Sequence, residues 1–265
     1  MLENKYIGNS GQREYPLRST VYERLPYKKP SEPETPDEPL ELNLKFKDWT
    51  ITYDEQYELP MVLPVMLDWF WANIEKGYLL WAPGDHKWCQ WEVAPSQNGW
   101  IGSVCSGGGQ FYPGGPVDRD GGGQAMHMDM DWFPFTTCMD HAYVEKSEVP
   151  VPGTNEMASF VCIMQYKAIS TGTHWRSTML VESKYLEALS ALMNGGNKES
   201  EGAPLGGHIW YEISRFSEFL PTLYDLWKDV PSTEVNVPND LRVIKCDDGT
   251  WKYKNPYRPE HNDNC

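Results

Sequence analysis

The run from Ile209 to Trp227 constrains this chain more than any other stretch. Ile209, Ile213, Phe216, Leu220, Leu223 and Trp227 recur at three- and four-residue spacing, the period of a helix with one buried stripe. Gly206-Gly207 precedes the run and Pro231 follows it, so the pattern predicts one long amphipathic helix between them. The run opens with His208 and Glu212, four residues apart. On a helix this spacing puts an imidazole and a carboxylate on one face, a turn apart. Two such donors can share a divalent metal, and the same spacing also serves surface ion pairs.

The stretches upstream read mostly as strands. Pro83-Gly84-Asp85 is a turn that delivers His86 to a strand in which Trp88, Gln90 and Glu92 alternate with Lys87, Cys89 and Trp91. Met126 to Trp132 sets His127, Asp129 and Asp131 against alternating methionines. It predicts a half-buried strand whose polar face is solvated or lines a pocket. Ala158–Ile169 and Thr173–Val181 read as a hairpin through Ser170-Thr171-Gly172, and Ser183–Met193 as a shorter helix ended by Asn194-Gly195-Gly196. The glycine-rich stretch between Ile101 and Gly123 has neither a P-loop lysine nor a βαβ setting. It predicts a flexible loop over a site. Strands, a short helix, then a long helix define an α+β fold, an antiparallel sheet wrapped around the C-terminal helix with an internal cavity.

Four prolines between Lys29 and Pro39 forbid regular structure there. Residues 1–59 therefore read as an extended arm and Pro-rich connector, lying along a partner subunit, as in a homodimer, or along its own domain. Residues 60–245 form the folded domain, and 246–265 an irregular tail. A net charge of −15 disfavours nucleic acid and anionic membrane as partners. No apolar run approaches the ~20 residues of a membrane helix, and the N-terminus has no signal-peptide core. The six cysteines are dispersed without a CxxC pair, which predicts reduced thiols in a cytoplasmic protein. Twelve Trp and 15 Tyr suit the walls of a cavity or a large mixed sheet.

Four segments also resemble one family, the diacetylphloroglucinol hydrolase/phloretin hydrolase family. Asp68-Trp69-Phe70-Trp71 is similar to its D-W-W-F segment. Tyr78-Leu79-Leu80-Trp81-Ala82-Pro83-Gly84-Asp85-His86 resembles its Y-K-L-W-H-P-x-x-H. Thr173-His174-Trp175-Arg176-Ser177 resembles its E-M-R-S strand, and His208 to Glu212 with Phe219 to Tyr224 its H-x-x-x-E…F-L-P-x-L-Y. The match runs from about Pro60 to Leu226 in the family's order.

The resemblance implies a Bet v 1-like helix-grip fold and Zn²⁺-dependent hydrolysis of the carbon–carbon bond between an acyl group and a phloroglucinol-like ring. The substrate would be a small aromatic ketone. It implies His86, His208 and Glu212 as metal ligands. The family's fourth ligand is a glutamate, and Gln110 falls nearest its position. A neutral amide binds a dication more weakly, so Asp118, Asp120 or the His127/Asp129/Asp131 strand are other sources of an oxygen. Tyr78 becomes a candidate acid for the ring carbon, or a structural phenol. Arg176 becomes a phenolate contact, or the partner of an acidic neighbour. Where the family has a substrate-binding histidine, within Phe160–Tyr166, this chain has Met164-Gln165, so substrate contacts differ. Two other functions stay open on this fold: a cyclase or isomerase of a polyketide-like substrate, and a carrier of hydrophobic aromatic ligands.

Overall fold

The computed structural model describes residues 25–26, 28, 30–95, 99–109, 123–151, 153–189, 205–229 and 242–254. A seven-stranded antiparallel sheet forms its frame. The strands are β1 (Trp49–Pro60), β2 (His86–Val93), β3 (Val104–Gly109), β4 (Gly123–His127), β5 (His141–Pro150), β6 (Met157–Ile169) and β7 (Gly172–Glu182). Their spatial order is β1-β7-β6-β5-β4-β3-β2. Helices α1 (Pro64–Ala72) and α2 (Ile74–Trp81) carry the chain from one sheet edge to the other, and α3 (Leu205–Ile213) and α4 (Phe216–Trp227) pack against the inner face. A hairpin of β8 (Arg242–Lys245) and β9 (Trp251–Lys254) completes the described chain. This is the α+β helix-grip arrangement expected from the sequence. No helix among the described residues is long and apolar enough to cross a membrane.

The predicted hairpin is β6–β7, paired from Phe160↔Val181 to Ile169↔Gly172. Ten consecutive residues of β7, Gly172 to Val181, are buried, so both faces of this strand are covered. Trp175 and Met179 belong to the inner core, while Leu180 packs outside with Phe133, Phe135, Val144, Val161 and Ile163. Leu40, Leu42, Trp49 and Ile51 close over that outer cluster. The Pro-rich connector therefore lies on its own domain. Ser31 bridges Glu58 on the free edge of β1, and Gln56 exchanges hydrogen bonds with the Asp37 backbone. Covering an edge strand this way blocks pairing with another chain.

Several boundaries differ from the sequence expectation. The folded domain starts at Trp49, because β1 pairs along its whole length with β7. Its alternation is interrupted by a register shift between Ile51 and Tyr53, which hides a period-2 pattern from inspection. The tail is likewise not irregular throughout. Asp248 accepts from Thr250 N–H and Gly249 takes φ 82°, and this turn returns the chain into β9.

The long helix is two helices. Its apolar stripe is buried from Ile209 to Leu223 and half-buried at Trp227, but Arg215 N–H bonds back to the Glu212 carbonyl, a three-residue turn that breaks the α ladder at Ser214-Arg215. Pro221, inside α4, leaves the carbonyl four residues before it without an amide donor. Residues 183–185 form a 3₁₀ turn leading into a helical turn at 186–189, and the remainder of the predicted short helix lies outside the described residues. Cys246 is disulfide-bonded to a partner outside the described residues, whereas Cys89, Cys105, Cys138 and Cys162 are free. The expectation of six reduced thiols fails at Cys246, because linear spacing does not reveal which cysteines meet in space.

Part of the glycine-rich stretch is not a loop. Val104–Gly109 is a strand paired with β2 and β4, and its glycines make room rather than flexibility. A Cβ on Gly107 would sit 2.8 Å from the Tyr78 hydroxyl, and one on Gly109 only 2.0 Å from the Asp85 carbonyl oxygen. Gly109→Ala should force Asp85 and His86 outward. We expect a loss of about 1–3 kcal/mol, as for other overpacked sites, readable by urea denaturation.

Candidate metal centre

His208 and Glu212 lie on successive turns of α3, and His86 opens β2 directly after the Pro83-Gly84-Asp85 turn. The fold brings the three together. Glu212 Oε1 is 2.9 Å from His86 Nε2 and 3.0 Å from His208 Nε2. All three residues are at most 7% exposed. The other ring nitrogens are held from behind. His86 Nδ1 lies 2.6 Å from the Tyr78 carbonyl oxygen, and His208 Nδ1 2.9 Å from Asp85 Oδ2. A carbonyl only accepts, so His86 Nδ1 carries a proton and Nε2 is the ring atom that faces the cluster.

This donor set fits a divalent ion. Backing each ligand histidine through its second nitrogen is the usual construction of a metal site. The three donor atoms lie within 4.8 Å of one another, whereas tetrahedral ligands about 2.1 Å from zinc stand roughly 3.4 Å apart. The two Glu212 contacts, at 2.9 and 3.0 Å, are a few tenths of an ångström shorter than that, so the carboxylate draws back for an ion to enter. Without an ion, His208 and Glu212 hold each other as charges. Burial alone lowers the His208 pKa, but Glu212 and Asp85 outweigh it and bring it to about 9. Burial raises Glu212, and His208 and His86 together pull it below its ordinary value.

The centre forms one wall of a cavity of about 210 Å³ between the sheet and α2 and α3. Trp81, Phe160, Met164, Trp175, Met179 and Ile209 make it largely apolar. Tyr78 also lines it, its ring stacked on His86 at 3.6 Å between centroids and 4° between planes. Burial holds the Tyr78 phenol well above its ordinary pKa, so it is a neutral donor there.

The other sequence candidates divide. Arg176 is not in the cavity. Its guanidinium grips Asp54 through two bonds, Nε to Oδ1 at 2.7 Å and Nη2 to Oδ2 at 2.6 Å, and bonds the Glu38 carbonyl. Strand alternation explains this, since its neighbours Trp175 and Ser177 line the cavity and Arg176 points to the other face. Of the two roles expected for it, the geometry matches the pairing with an acidic neighbour. Gln110, Asp118 and Asp120 lie outside the described residues. The predicted strand 126–132 ends at His127, and Met130–Trp132 is a 3₁₀ turn capped by Asp129. Asp129 and Asp131 are exposed, whereas His127 is 1% exposed and lines the cavity. Gln165 points away and accepts from the Met139 amide.

Three residues of the site were not singled out from the sequence. Asp85 is 2% exposed and orients His208. Asp85→Asn keeps an acceptor but removes the charge behind the imidazole, and metal affinity should fall by about 10–100-fold, measured by competition with a chelating dye. Tyr143 and Glu145 lie on β5, two residues apart and so on one face, which is the only sequence signal they give. Both line the cavity, and Tyr143 Oη lies 2.7 Å from Glu145 Oε2.

Burial raises the Glu145 carboxyl to about 7 despite the Tyr143 bond, with Glu212 adding to the rise. A carboxyl raised in the fold above its ordinary 4.5 stabilises the protein below that value, and this stability is lost as pH rises through 7. Glu145→Gln should therefore flatten the pH dependence between these limits and raise stability at alkaline pH, checked by thermal melts across pH.

No family model and no curated protein matches the chain. Among solved structures it is similar to norcoclaurine synthase from Thalictrum flavum. A point mutant of that enzyme with a transition-state analogue is 8% identical over 64% of this chain and 94% of that one, with a TM-score of 0.41. An X-ray structure of the same enzyme is 9% identical over 70% and 98%, with a TM-score of 0.36. Likeness at that level says nothing about the reaction.

Proposed function

We propose that this chain is a metal-dependent hydrolase that cleaves the carbon–carbon bond between an acyl group and an oxygenated, phloroglucinol-like ring. The observation that carries this reading is the three-donor centre of His86, His208 and Glu212, with both Nδ1 atoms anchored, opening into an aromatic-walled cavity. Two imidazoles and a carboxylate suit zinc among several first-row ions. A bound divalent ion supplies a Lewis acid for a carbonyl oxygen and lowers the pKa of water towards ~7.

The chain's own groups do the rest. Trp81, Phe160 and Trp175 offer ring faces and edges to an aromatic substrate, and Tyr78 offers a neutral O–H. Hydroxide adds to the acyl carbon, and the acyl–ring bond breaks with its electron pair on the ring carbon. That carbanion is tolerable because flanking oxygens delocalise it. The ring carbon then takes a proton, so one water is consumed overall. A cavity of about 210 Å³ falls below the ~300–1,000 Å³ common for drug-sized ligands, which favours a single-ring acylphloroglucinol over a two-ring dihydrochalcone.

The test is incubation of zinc-loaded protein with acetylphloroglucinol in ¹⁸O-water, followed by mass spectrometry. Phloroglucinol and singly labelled acetate are expected. Products of unchanged mass would point instead to a cyclase or isomerase, and binding without turnover to a carrier.

A further inference from the structure

On the cavity wall, four side chains form one hydrogen-bonded row that the centre itself does not use. Glu145 Oε2 lies 2.7 Å from Tyr143 Oη, which lies 2.7 Å from His127 Nε2. His127 Nδ1 lies 2.5 Å from Ser103 Oγ, and Ser103 Oγ lies 2.7 Å from the Trp100 carbonyl oxygen. Ser103, His127 and Tyr143 are at most 2% exposed. The row crosses two strands, β4 and β5, and the turn before β3, and Trp100 stacks flat on His127 at 4.1 Å.

Counting protons along this row shows what it is suited to. Each hydroxyl has one proton, and burial keeps His127 neutral, with its pKa lowered to about 3. In one arrangement the Ser103 proton goes to the Trp100 carbonyl, which can only accept, and His127 donates from Nδ1 to Ser103. His127 Nε2 is then an acceptor and takes the Tyr143 proton. Tyr143 Oη has none left for Glu145, so that contact is a bond only if the carboxyl carries its own proton. In this state every member is satisfied. With Glu145 ionised, Tyr143 turns its O–H to the carboxylate, and the row stays paired once His127 changes tautomer, giving up its Nδ1 proton and taking one at Nε2, so that it donates to Tyr143 and Ser103 donates to Nδ1. Only the Trp100 carbonyl, at the far end, loses a bond. A row that pairs both forms of one carboxyl at the cost of one distant bond is built for a group that gives up and regains a proton.

We propose that Glu145 is the catalytic acid of this cavity, and that Tyr143, His127 and Ser103 hold it as a neutral carboxylic acid between turnovers. The choice of ring carbon as recipient rests on the hydrolase reading above; the proton inventory does not. As the acyl–ring bond breaks and its electron pair falls on the ring carbon, the Glu145 O–H bond breaks and its proton goes to that carbon. Tyr143 then turns its O–H to the new carboxylate. The proton released when water became hydroxide restores Glu145, so no oxidant or reductant is involved. Facing Glu145 are Tyr78 on α2, Cys89 on β2, Cys162 on β6 and Glu212 on α3. Of these, only Glu212 is an anion with a depressed pKa, so Glu145 is the carboxyl suited to hold the proton.

The zinc-loaded full chain tests this in two ways. Infrared difference spectra should contain a protonated carboxyl band at mildly acidic pH that Glu145→Gln removes; absence of any such band overturns the proposal. Two reactions are then followed, acetylphloroglucinol cleavage and exchange of phloroglucinol ring hydrogens with D₂O, which needs only the proton transfer. Glu145→Gln should slow both by about 10²–10⁴-fold with zinc content and KM little changed, and Glu145→Asp should recover part of the rate. Full rates in Glu145→Gln would overturn the proposal. Glu145-dependent exchange without cleavage would keep the acid and refute the hydrolase. Tyr143→Phe should move the carboxyl band and lower kcat but not KM; an unmoved band would remove the row from the role.

Discussion

Purified protein should carry about one zinc per chain, and His208→Ala should carry almost none. His208 supplies one of the three donors that lie within reach of one another among the described residues, and a site reduced to one imidazole and one carboxylate no longer has the three protein ligands of a catalytic zinc centre. Elemental mass spectrometry on untagged protein reads this directly. On the hydrolase reading, cleavage of acetylphloroglucinol should fall by about 10³-fold or more, because the ion contributes several kcal/mol to the transition state. Chelation of the wild type should produce the same loss, and added zinc should reverse it only in the wild type. A metal-free wild type with full activity would sink the metal mechanism, and zinc retained by His208→Ala would mean that the ion sits elsewhere.

Phe70→Ala should be the most destabilising single change, by about 3–5 kcal/mol. Phe70 is fully buried where α1, α2 and α4 meet. Its ring lies 5.1 Å from Trp71, 5.5 Å from Trp81, 5.3 Å from Phe216 and 6.0 Å from Phe219, mostly edge to face. Gly77 on α2 is packed so closely that a Cβ there would sit 2.4 Å from the Phe70 ring. Three backbone elements around one ring cannot collapse together into the space it leaves, so the cavity penalty should be near the top of its range. For a domain of this size that corresponds to a fall in Tm of roughly 6–20 °C. Phe70→Leu should recover most of it. Because α2 carries Tyr78, whose carbonyl orients His86, Phe70→Ala should also weaken zinc binding. A melting temperature within a few degrees of wild type would show that the helices repack.

Much of the site was legible in the sequence wherever the signal was local. The spacing of His208 and Glu212, the apolar stripe to Trp227 and the turn that starts β2 at His86 are properties of consecutive residues. Helical and strand periods convert them directly into shared faces. The β6–β7 hairpin was readable for the same reason.

What tertiary structure decided was every relation between distant segments. Sequence order does not show that β7 pairs with β1 as well as β6, so it leaves Arg176 between a substrate contact and an acidic partner, and only the pairing identifies that partner as Asp54. The glycines of β3 read as a loop until the rings of Tyr78 and Trp88 were seen to fill the space their missing side chains leave. Asp85 meets His208 only because α3 crosses the start of β2. Glu145 faces His127 through the register of β4 and β5. By itself the sequence determined which residues are candidate metal donors and which face of a helix two of them share. Their convergence, and the identity of the carboxyl opposite them, were decided by strand register, which depends on pairing energies summed along whole strands and is invisible to any short window of residues.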